Sequence, residues 1–169
     1  MRKNLVKIIV IALVVVMLPL SAFATPRVVS KRLYRDVSKK TVGKTVNTAI
    51  NTLGRGHAYD GAFKIKNGYF KPYKKLTRGQ ADKIMRNVFD VFLHVESVPV
   101  AAPQNPDKGF KIKWGLNRMT KFTKVVYGVN ISWPSDDKNL NKPAQRGLFS
   151  GYLWNLVKFV RGSGFEPVI

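Results

Sequence analysis

The chain of 169 residues contains no cysteine. Disulfides, thiolate metal sites, thiol catalysis and redox exchange are therefore excluded. Acidic residues are scarce, nine against 30 lysines and arginines, and there are two histidines. Little carboxylate is left for acid–base pairs or for hard-metal cages. No HExxH, no paired His/Asp metal spacing, no GxSxG and no Walker-type phosphate loop occurs. No metal or cofactor is expected.

What is present is a secretion-type N-terminus ahead of a strongly basic body. Arg2, Lys3 and Lys7 precede an apolar run from Ile8 to about Leu20. Ser21-Ala22-Phe23-Ala24 then places small residues where a signal peptidase reads them. Residues 1–24 are expected to be a cleavable signal, with Thr25 the first mature residue and a periplasmic or extracellular destination. The apolar run is short for a spanning helix, which needs about 20 residues.

Three of the 30 cations and none of the acids fall before Thr25, so the remaining 145 residues carry +18. That charge repels itself and calls for counter-charge. It points to a polyanion partner: nucleic acid, lipopolysaccharide, anionic lipid or an acidic cell-wall polymer. Branched and aromatic residues are too frequent for a disordered tail. The length suits one domain held by packing alone.

Residues 25–40 are basic and irregular and read as an N-terminal arm, with a single domain over 41–169. Val42, Val46, Ala49, Ile50 and Leu53 form a helical stripe, predicting a helix over about 41–53. Thr77-Arg78-Gly79-Gln80 has the capping-box form and opens a helix over about 77–95. A third helix is expected over about 143–161, with Pro143 in its first turn. Between these lie two hairpin signals. Phe63 and Ile65 alternate with Lys64 and Lys66 before Asn67-Gly68, the preferred pair for a type I′ turn, giving a hairpin over about 61–74. Alternation at Phe110, Ile112 and Trp114, and again from Val125 to Trp133, predicts a second over about 109–133. The expected fold is α+β, an antiparallel sheet with three helices on one face. No repeat is evident beyond the hairpin–helix alternation.

The first hairpin is the leading anion-site candidate. A two-residue turn would set Lys64 opposite Lys71, a destabilising pair unless an anion lies between. Lys64, Lys66, Tyr69, Lys71 and Tyr73 would share one face, extended by Lys111 and Lys113. Lysines interleaved with tyrosines suit single-stranded nucleic acid, because cations track phosphates and rings stack on bases. The bland alternative is a solvated sheet face. On the last helix, Trp154 beside Lys158 and Arg161 suggests a membrane or partner contact, against a helix buried on two sides. His57 and Asp60, in a Gly-rich loop, could serve a nuclease as base and orienting carboxylate. Catalysis is the less favoured reading of this pair. His94 follows Asp90 by four residues, which suits a helix-surface contact.

The run Leu76-Thr77-Arg78-Gly79-Gln80-Ala81-Asp82-Lys83 through Val88-Phe89 resembles the second helix of the histone-like HU proteins. Asn105-Pro106-Asp107-Lys108-Gly109-Phe110-Lys111-Ile112-Lys113 is similar to their arm-tip Asn-Pro and following strand. The resemblance covers about a third of the mature chain. It implies DNA binding as a dimer, with the tip proline wedged between base steps. The chain departs from the pattern between the two motifs, where a short loop replaces two strands, and in its secretion signal.

Three functions follow as expectations. The first is a secreted or periplasmic polyanion-binding protein, with nucleic acid favoured. The second is an envelope protein contacting anionic lipid, lipopolysaccharide or a membrane protein through its last helix. The third is a secreted nuclease.

Overall fold

The computed structural model describes residues 32–164 and residue 168. The signal and the first part of the basic arm lie outside the described residues. Among the described residues five helices follow in order: α1 (Lys39–Val42), α2 (Lys44–Arg55), α3 (Arg78–Leu93), α4 (Ile112–Tyr127) and α5 (Arg146–Val160).

The expected α+β sheet does not form. Among the described residues there are only isolated β-bridges. The Asn67-Gly68 turn itself has the positive φ values of a type I′ turn, 53° and 74°, and Lys66 bridges Tyr69. Pairing stops there, because the Asp36 carboxylate accepts from the backbone N–H groups of Phe70 (2.8 Å) and Lys71 (2.7 Å). Lys71 turns into the left-handed region at φ 59°, so it never faces Lys64 across a ladder.

The second hairpin is a helix instead. Ile112, Leu116, Met119, Phe122 and Thr123 are buried along one stripe of α4, a 3.6-residue period hidden under the alternation of its ends. The residues from Gly128 to Trp133 form no strand.

Helices α3, α4 and α5 begin at residues 78, 112 and 146, so the start recurs every 34 residues. Each is preceded by a short extended lead-in. The bridges Thr77↔Gly109, Lys111↔Pro143 and Gln145↔Lys75 link the three lead-ins in a closed triangle. Equivalent backbone bonds repeat around it: Arg78 N to Lys108 O at 2.9 Å, Ile112 N to Lys142 O at 3.0 Å and Arg146 N to Lys74 O at 3.0 Å. Pro143 thus pairs in the lead-in, and the helix starts after Gln145. The chain carries a threefold internal repeat that its hydropathy alone does not reveal. Each unit satisfies its lead-in only by pairing with the other two.

Caps fix the helix starts. Thr77 and Gln80 complete the expected capping box on α3, and Ser38 and Thr41 form another on α1. At the centre lies α5, in contact with α2, α3 and α4. Twelve of its 15 residues are buried, which explains an apolar arc too wide for one packing face. The segment read as a basic arm contributes Tyr34 and Val37 to the core.

Three core tyrosines are held neutral. Burial pushes the Tyr34 phenol up to about 12, with Asp60 adding to the effect. Burial also raises Tyr59, despite its hydroxyl donating to Ser150 Oγ at 2.8 Å, and raises Tyr152, which faces Asp137. In the unfolded chain these groups ionise near 10, the ordinary value of a phenol. The contribution of Tyr34 is therefore complete below pH 10 and is lost as pH rises through about 12, and those of Tyr59 and Tyr152 are likewise lost above pH 10. Stability should fall above pH 10 by up to about 1.4 kcal/mol per pH unit for each tyrosine. Tyr34→Phe should fold normally at pH 8 and show a shallower decline in urea midpoint between pH 10 and 12. An unchanged slope would refute the assignment.

Candidate anion-binding groove

A wide basic concavity is built from the break between α1 and α2 and from the loop leading to α5. Gly43, at φ 79° and ψ 167°, both ends α1 and caps α2. This backbone setting suits glycine, and it turns the chain between Lys40 and Lys44. Tyr73 crosses the break, its hydroxyl donating to the Thr41 carbonyl. Opposite stand Lys138 and Lys142. The groove has a volume of about 720 Å³ and is lined by Lys39, Lys40, Lys44, Lys138 and Lys142 over an apolar floor of Val42, Val46, Pro72, Leu148 and Val168.

Among the described residues no carboxylate lines it, and two acids close to it in sequence, Asp36 and Asp137, are engaged elsewhere. Asp36 accepts from two backbone N–H groups. Asp137 accepts from Asn139 N at 2.8 Å and from the Tyr152 hydroxyl. Lys142 Nζ donates to Asn139 Oδ1 at 2.9 Å. Lys39, Lys40, Lys44 and Lys138 are exposed and make no ion pair among the described residues. The starts of α2 and α5 border the groove. Neither has a side-chain cap or an acid in its first turn, so both helix dipoles present uncompensated positive ends.

Two smaller basic concavities accompany it. One, of about 560 Å³, sets Lys113, Lys121 and Lys124 beside Trp133, whose Nε1 donates to Thr120 Oγ1 at 3.0 Å. The other, of about 410 Å³, lies over the lead-in triangle with Lys75, Arg78 and Lys111.

The residues expected to form one anion face are dispersed. Lys64, Lys66, Tyr69 and Lys71 are exposed around the Asn67-Gly68 turn, over the buried Phe70. Tyr73 joins the large groove, whereas Lys111 and Lys113 fall in the two smaller ones. With no continuous sheet, nothing carries these side chains onto one surface. The five groove lysines escaped the sequence reading because Lys39–Lys44 and Lys138–Lys142 share no local pattern. Their one visible signal was a cluster of cations at 39, 40 and 44 without an acid beside it.

Trp154 is not at the surface. It is 2% exposed and meets Phe92 edge-on at 6.3 Å. Lys158 is buried too, and Arg161 donates to the Phe92 carbonyl. The contact face proposed for the last helix is internal. Among the described residues no helix is long and apolar enough to cross a membrane.

His57 and Asp60 do meet, Nδ1 to Oδ2 at 3.1 Å, on an open turn with side chains 76% and 72% exposed. Asn87 Nδ2 ties that turn to α3 through the carbonyls of Ala58 and Asp60. The pair lines none of the three concavities. His94 ends α3 in the left-handed conformation. Pro106 accepts from Gly79 N at 2.7 Å, which joins the two segments that resemble HU proteins side by side. No group of three or more potential metal ligands occurs among the described residues.

Compared with protein-family models, curated proteins and solved structures, the chain matches none.

Proposed function

We propose that this is an exported basic protein that binds a polyanion through the groove between Lys39–Lys44 and Lys138–Lys142. The observation that carries this reading is five lysines around an apolar-floored groove with no acid among its described lining residues. Clustered like charges destabilise the free protein, and an anionic ligand would relieve them. The exposed ring of Tyr73, which lines the groove beside these cations, favours single-stranded nucleic acid as the first ligand to test. Lipopolysaccharide and acidic cell-wall polymers present the same charge.

The test is anisotropy of a labelled oligothymidylate across a salt series. Changing Lys39, Lys40 and Lys44 together to Gln should weaken binding. It should also make the log-affinity against log-salt slope shallower by about 2, at roughly 0.7 per lost phosphate contact. Changing Lys64 and Lys71 to Gln should have a smaller effect. The groove assignment fails if the triple variant keeps the wild-type slope. Competition by lipopolysaccharide or polyphosphate then ranks the ligand classes.

A further inference from the structure

The floor of the groove is completed by Val168, far along the chain from the lysines it underlies. Val168 is 7% exposed. It sits against α5 at Gly151, where a Cβ would lie 2.5 Å from Val168 Cγ1 and 3.3 Å from Val46 Cγ2. The seat therefore exists only because position 151 has no side chain. The Val168 carbonyl accepts from Asn139 Nδ2 at 3.1 Å. Asn139 is itself buried, and its Oδ1 accepts from Lys142 Nζ at 2.9 Å. A short relay thus runs from Val168 through the Asn139 amide to Lys142.

We propose that Val168 is a positioning residue for the anion groove. Seated on Gly151, it orients Asn139, and through it holds Lys142 and the 138–142 loop across from Lys39, Lys40 and Lys44. This inference rests on the polyanion reading of the groove. A buried amide without its partner is costly, so losing the Val168 carbonyl would turn Asn139 away and free Lys142. A cation fixed before binding loses less rotamer entropy on contact with its anion.

Two variants of the full chain test this. Gly151→Ala places a methyl in the seat while improving helix propensity, so α5 is retained. Asn139→Leu keeps the seat and cuts the relay. Amide hydrogen exchange at residues 138–142 gives a readout independent of any ligand, and titration with inorganic polyphosphate gives the affinity. Both variants should exchange at 138–142 about tenfold faster and bind polyphosphate about 3- to 10-fold more weakly. Unchanged exchange in both would overturn the proposal. So would faster exchange with tighter binding. If wild type bound no polyanion, the groove reading would fall, while exchange at 138–142 would still decide whether Val168 holds the loop.

Discussion

Asp82→Ala should cost about 3 kcal/mol, since it leaves the enclosed Arg118 guanidinium and the partly exposed Arg86 without their shared counter-charge. Asp82 is 5% exposed. Its Oδ2 accepts from Arg86 Nε at 2.8 Å, and its Oδ1 accepts from Arg118 Nε at 3.0 Å and Nη2 at 2.6 Å. The arginines then reach the loop after α3. Arg86 donates to Val98 O (2.8 Å) and Val100 O (2.5 Å), and Arg118 donates to Ala101 O. Both guanidinium groups lie over the Phe122 ring, at 5.4 and 5.3 Å. One carboxylate thereby organises α3, α4 and the 98–101 loop.

The loss should appear as a lower urea midpoint and as faster amide exchange at 98–101. Replacing all three charges together, Asp82→Leu with Arg86→Met and Arg118→Met, should restore much of the stability, because no charge then stays buried and unpaired. If Asp82→Ala costs under about 1 kcal/mol, the cluster behaves as a surface pair.

The contrast between local and distant signals explains what the sequence disclosed. The pair Asp82 and Arg86 is readable at i, i+4, but Arg118 is 36 residues further on and nothing nearby announces it. Helices α2, α3 and α5 were legible from their 3.6-residue stripes, and α3 also from its capping box. The Asn67-Gly68 turn was legible because few residues other than Asn and Gly accept its dihedral angles. The ladder beyond it was not, since Asp36 intercepts the N–H groups of Phe70 and Lys71.

Helix α4 was misread because Phe110, Ile112 and Trp114 imitate a strand, and β-branched residues crowd its far end. The repeat was within reach. Arg78-Gly79 and Arg146-Gly147 each open a helix, Lys74, Lys108 and Lys142 hold the same place before them, and Met85 and Met119 the same place within. These matches are few, and apolar positions vary freely in size between the units, so averaged hydropathy conceals them. The anion groove was beyond sequence reasoning for a different reason. Its two walls meet only after α5 has docked on α2.

Trp154 provides the sharpest test of that docking and of the membrane reading together. The ring is 2% exposed within a helix buried on nearly every side. Truncation to Ala should cost about 3–5 kcal/mol, the transfer energy of the indole plus the cavity it leaves. Small domains have about 5–15 kcal/mol in total, so Trp154→Ala should melt far below wild type or fail to fold. Trp154→Phe keeps an aromatic against Phe92 and should retain the fold with a smaller loss. With that variant folded, binding to vesicles containing phosphatidylglycerol should equal wild type, because a buried indole contributes nothing at a lipid surface. The surface-contact reading predicts the reverse, with stability unchanged and vesicle binding lost. That result would place Trp154 outside the core and return the last helix to the envelope.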